Sequence, residues 1–200
     1  ADAADDLIYV SNGQTGQLHV VSAATGAATG STLLGSVGDS IALKDAQVIR
    51  TGLGAFLVGI SERSGNLVRF DTTQFGAASV AATNLTPVST TTIDSFAFGE
   101  AGLFAVRAGP QGVLSAKREL VTVALDGSGS TLIADISNNG PNEGSISQPV
   151  PVLVYDNAGT AGTADDTLIA QNSTRGRQFR MAVATAAIGA APVEIVTPEF

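Results

Sequence analysis

The chain has 200 residues, of which 44% are apolar and 14% charged, with 23 glycines, one histidine and no cysteine or tryptophan. Its net charge of −8 repels phosphate backbones and anionic lipid, which argues against nucleic acid or a membrane surface as partner. The composition is too apolar for a disordered chain and too rich in turn formers for a helical bundle. Without cysteine it excludes a disulfide scaffold, and with a single histidine it all but excludes a tetrahedral zinc site. No run of about 18 apolar residues is present, so no transmembrane helix is expected. The chain reads as all-β.

The opening ADAADD is small and acidic, as when a signal peptide is removed behind an A-x-A-like site. A trimmed start would give the same letters. Export to the cell surface or the medium is the expectation. From Leu7 to Gly26 the text LIYVSNGQTGQLHVVSAATG reads as strand, polar turn, strand and a turn closed by Thr25-Gly26. β-branched and aromatic residues fit a pleated surface, and Asn, Gly and Ser supply the turn.

The pattern recurs. Leu7 precedes Leu18 by 11 residues, Phe56 precedes Leu67 by the same 11, and Leu168 precedes Phe179 by 11 again. In the third copy, Leu103 to Leu120, the segment AGPQGVLSAKR lengthens the turn. A further short apolar segment follows each copy, TLLGSV, SVAA, TLIADI and VEIV, and adds an outer strand. Copies two, three and four also carry a strand ahead of the first anchor, at 47–50, 95–98 and 151–155. Strands are therefore expected near 7–11, 17–22, 47–51, 55–60, 66–71, 94–98, 102–107, 119–125, 151–155, 167–171 and 178–184.

Four short antiparallel strands in each unit of about 40–50 residues is the period of a propeller blade. A four-stranded meander has two apolar faces and buries both only by stacking. The expectation is a single all-β domain over 1–200 with four blade-like repeats, at about 1–40, 41–90, 91–145 and 146–200, in a small β-propeller or propeller-like array. A β-sandwich or β-solenoid is the rival reading of the same spacing. The first repeat lacks a leading strand. Another subunit is expected to supply that pairing, with residues 1–10 or 190–200 docking by strand addition.

The string IYVSNGQTGQLHVVSAATGA resembles the YVTN-type repeat of lactonase-like and surface-layer propellers of bacteria. Tyr9-Val10-Ser11-Asn12 and Thr25-Gly26 carry the likeness. The resemblance implies blades rather than a particular activity.

Candidate chemistry is sparse. The one histidine, His19, sits mid-strand beside Val20 and Val21, which offers no catalytic triad. No catalytic or cofactor-binding residue is assigned. Asp156, Asn157, Asp165 and Asp166, in YDNAGTAGTADDTLIA, place hard oxygen ligands on a glycine-rich segment of the kind Ca²⁺ takes. A polar hairpin with Asp caps is the alternative for the same letters. Arg175, Arg177 and Arg180 form a basic cluster that either grips a neighbour's carboxylate or guards a strand edge. The scarcity of Tyr tells against a sugar-stacking site. Together these features point to a secreted or cell-surface structural protein that self-associates into a layer, filament or matrix. A small ligand-binding propeller or lactonase-like hydrolase is the rival.

Overall fold

The computed structural model describes residues 6–86, 92–108, 118–136, 152–171, 178–183 and 193–195. The chain divides into two compact units, Ala1–Thr86 and Pro87–Phe200, and the four expected repeats fall essentially two to a unit. All regular structure among the described residues is strand, apart from a single 3-10 turn at Thr72–Gln74. No described helix is long and apolar enough to cross a membrane.

The N-terminal unit holds two sheets. Sheet I runs β1 (Leu7–Ser11), β2 (Gln17–Ser22), β3 (Ala28–Ser36) and β4 (Asp39–Ser40) in order. Sheet II is formed by β5 (Leu43–Thr51), β6 (Gly54–Ser61), β7 (Leu67–Asp71) and β9 (Thr83–Asn84). Side chains alternate across each strand, so one face of sheet I presents Leu18 and Leu34 to Leu57, Val68 and Phe70 of sheet II. Between β7 and β9 the chain crosses back, and β8 (Ser79–Val80) pairs parallel with Leu33 and Leu34 of β3. Here the sequence expectation needs correcting. SVAA is not the outer strand of its own repeat: Ser79–Val80 joins the edge of the preceding sheet, where Val80 is buried beside Leu34, and Thr83–Asn84 takes the outer position in sheet II.

Three turns of this unit share one local design. In Asn12–Gly16, Ser22–Gly26 and Ser61–Gly65, the final glycine donates its N–H to the carbonyl of the first residue at 2.8–2.9 Å. Each of these glycines has φ of 69–70°, a conformation that a side chain disfavours. The first side chain caps the turn, Asn12 Oδ1 accepting from Gln14 and Thr15, Ser22 Oγ from Thr25 and Ser61 Oγ from Ser64. The hydroxyl before the glycine then accepts from the N–H two residues on, in Gln17, Ala27 and Asn66. Each of the three turns thus closes on bonds of its own, and the second residue of two of them donates outward, Ala23 to Asp6 and Glu62 to Ala42.

The C-terminal unit also holds two sheets. Sheet III is β10 (Ile93–Gly99), β11 (Gly102–Ala108), β12 (Arg118–Val123) and β13 (Ser130–Asp135), and sheet IV is β14 (Val152–Asp156), β15 (Thr167–Gln171), β16 (Gln178–Ala182) and β17 (Val193–Ile195). Ala97, Phe104, Val106 and Leu120 of sheet III pack against Leu153, Leu168, Ala170, Phe179 and Met181 of sheet IV. The strands expected from the 11-residue spacing fall where they were placed, except that residues 151 and 184, like the lengthened turn at 109–117 and Arg175 and Arg177, lie outside the described residues.

Equal spacing conceals a difference in register. Leu7 pairs with Ser22 and Phe56 with Asp71, but Leu168 pairs with Met181, two residues sooner. The fourth repeat is slipped by one residue against its turn, and a one-residue slip turns every side chain to the other face. Leu7 and Leu18 therefore share the face of sheet I turned to the next sheet, whereas Leu168 and Phe179 of sheet IV face back onto sheet III.

Candidate functional site: the loop between β14 and β15

The four residues expected as calcium ligands lie on one connection, and the structure sends them to different tasks. Asp156 Oδ1 accepts from the N–H of Ala158 at 3.0 Å, and Asn157 Oδ1 from that of Gly159 at 3.2 Å. These are Asx turns, and they hold a bend in which Ala158 and Gly159 both have positive φ. Asp165 Oδ1 accepts from the Thr160 hydroxyl at 2.8 Å. Asp166 points the other way and is fully buried. Strand alternation is the reason: Asp166 precedes Leu168 and Ala170 on the inward face of β15. Among the described residues no group of three or more His, Asp or Glu side chains comes together to hold a metal ion.

Sequence reasoning missed Tyr155, around which the site is built. It lies on the inward face of β14, two residues after Leu153, so alternation from that leucine marks it. Its hydroxyl donates to Asp166 Oδ2 and accepts from the Ala101 N–H at 3.1 Å. The ring stands 5.9 Å from that of Phe104 and lies over Gly99, where a Cβ would collide with the ring carbons. Glu100 completes the contact by accepting from the Gly162 N–H at 2.9 Å. The β10–β11 turn and the β14–β15 loop are thereby clasped to each other across the two sheets. Nothing in the sequence around Glu100 signals that role.

Burial, and then the hydrogen bond to Asp166, raise the Tyr155 hydroxyl above its ordinary pKa. The neutral phenol is the favoured form, so it serves as a donor to a buried carboxylate rather than as a base. Asp166 Oδ1 is buried without a hydrogen-bond partner. Elsewhere in the unit Arg118 pairs with Asp94, each with a side chain 10% exposed, and Arg107 pairs with Glu119 at 2.8 Å.

His19 is exposed on β2, with Val10 and Ser31 as its cross-strand neighbours. In the N-terminal unit a cleft of about 450 Å³ is lined by Ser40, Ser61, Ser64, Asn66 and Asn84, with the exposed Arg63–Asp39 ion pair on its wall. The polar groups of the β14–β15 loop hold it to itself and to the β10–β11 turn. No family model matches this sequence, and no curated protein matches it either.

Proposed function

We propose that this chain is a structural, self-associating subunit of an extracellular layer, filament or matrix, built from propeller-type blades of the YVTN kind. The observation that carries the reading is the use made of the acidic loop. Asp156, Asn157, Asp165 and Asp166 fold the loop and clasp two sheets, so the richest polar constellation of the chain acts as scaffold. Meanders in sequence order in sheets III and IV, stacked with β10 beside β14, support the blade reading. The turns that close on their own hydrogen bonds suit a repeat protein exposed to solvent.

A second reading has one observation in its favour. The serine- and asparagine-lined cleft beside Arg63 has the size of a small-molecule site and offers neutral hydrogen-bonding groups. It would make the chain a ligand-binding module for a small polar molecule. Solution mass and low-resolution imaging of the purified protein separate the two. Large or filamentous particles are expected. A monodisperse monomer across the accessible concentration range would overturn the structural reading.

A further inference from the structure

Each unit stacks two sheets through one apolar face of each, and sheets I and IV keep a second face open. On the open face of sheet I lie Ile8 and Val10, 39% and 50% exposed, with Val21 and Leu33 half-buried beside them. On that of sheet IV lie Val152 and Val154, 41% and 45% exposed, with Ile169 half-buried.

The open faces are also poor in charge. That of sheet I carries no Asp, Glu, Lys or Arg within its strands. That of sheet IV carries one charge of each sign among its described side chains, Arg180 opposite Ile169 and Asp156 opposite Thr167. In a chain of net charge −8, neutral surfaces are where two copies meet least repulsion. The direction of stacking is set within the units. If the side of a sheet turned to the next sheet in chain order is its later face and the opposite side its earlier one, sheet I offers its later face to the earlier face of sheet II, and sheet III its later face to the earlier face of sheet IV. The open face of sheet IV is a later face and that of sheet I an earlier one, so joining them keeps the order in which each unit stacks its own two sheets.

We infer that the open face of sheet IV of one molecule stacks on the open face of sheet I of a second copy, giving head-to-tail chains. This rests on the self-associating reading above and specifies its contact as face-on stacking rather than strand addition. Two variants test it, Val10→Asp to block one end and Val154→Asp to block the other. Both positions are exposed, and circular dichroism checks that each variant folds; Ile8→Asp and Val152→Asp stand in for a variant that does not.

In light scattering the unaltered protein is expected to form multimers, and each variant alone to run as a monomer. An equimolar mixture of the two is expected to yield a species of twice the chain mass and nothing larger, because only one good face remains on each partner. If the unaltered protein is monomeric throughout, the self-associating reading fails and the stacking with it. If it assembles and the variants assemble equally well, the stacking alone is wrong. Dimers from either variant by itself would mean that like faces meet, which also overturns the head-to-tail arrangement.

Discussion

One loop of the C-terminal unit is secured by means that three turns of the N-terminal unit do not use. In the N-terminal unit Asn12–Gly16, Ser22–Gly26 and Ser61–Gly65 each close on hydrogen bonds within a few residues, and the side chains of the Arg63–Asp39 ion pair are 77% and 71% exposed. In the C-terminal unit the β14–β15 loop, beyond its own Asx turns, is also held by groups farther away in sequence, Tyr155 with Asp166 and Ala101 and Glu100 with Gly162, and the pair Arg118–Asp94 is enclosed. Local closure costs little to disturb, because water replaces what is lost. Closure by buried groups is cooperative, and removing one member strands the others in a medium that does not solvate them.

That contrast is testable pair by pair. The largest effect is expected at the ion pairs. Asp94→Ala removes an enclosed charged hydrogen-bond partner of Arg118 and should cost about 2–3 kcal/mol, whereas Asp39→Ala should cost less than about 0.5 kcal/mol. Urea denaturation of both variants checks the difference, and equal losses would erase the distinction between the units. Next come two glycines. Gly99→Ala drives a methyl into the Tyr155 ring and should cost about 2–3 kcal/mol, while Gly26→Ala, with open space around it, should lose only about 1 kcal/mol through its φ of 70°. Gly16 sharpens the point. It shares the conformation of Gly26, but its Cβ would meet Ile41 backbone atoms at 3.0 Å, so Gly16→Ala should fall between the other two.

Tyr155→Phe removes the donor to Asp166 and should cost about 1–3 kcal/mol at neutral pH. Its pH dependence carries a sign. The folded hydroxyl has a raised pKa, so its contribution is complete below the unfolded value of about 10 and is lost as the pH rises through the folded value. The parent protein should therefore show an alkaline loss of stability beginning near pH 10 that the phenylalanine variant lacks, as read in melts across that range. The smallest effect is expected from calcium. With Asp156, Asn157 and Asp165 each holding the loop by a hydrogen bond, a chelator should move the melting temperature by less than about 2 °C. A shift of tens of degrees would make the loop a true calcium site.

The same contrast explains what the sequence made legible. Strands such as Leu7–Ser11 and Thr167–Gln171 were readable because their letters alternate or favour extended backbone. The turn after Ser11 was readable because Asn, Thr and Gly each do a local job there. Asp165 and Asp166 look alike as neighbours, yet one caps a surface bend and the other is buried. Only counting back from Leu168 in steps of two separates them. Ser79–Val80 misled because a two-residue pairing with another sheet leaves no periodic trace. The 11-residue spacing from Leu168 to Phe179 misled more subtly, since spacing along the chain does not fix which residues face each other.

The turn design of the N-terminal unit also offers a chemical handle. Gln14, Ala24 and Arg63 occupy the exposed third position of the three turns, where the capping atoms come from the first and fourth residues. A protein without cysteine gains a single thiol when one of these positions is replaced by it. Fluorophores or spin labels attached at Gln14 and Ala24, singly or together, would make the unit a molecular ruler with reporters on exposed turns, while one at Arg63 would report on the cleft and its Asp39 pair.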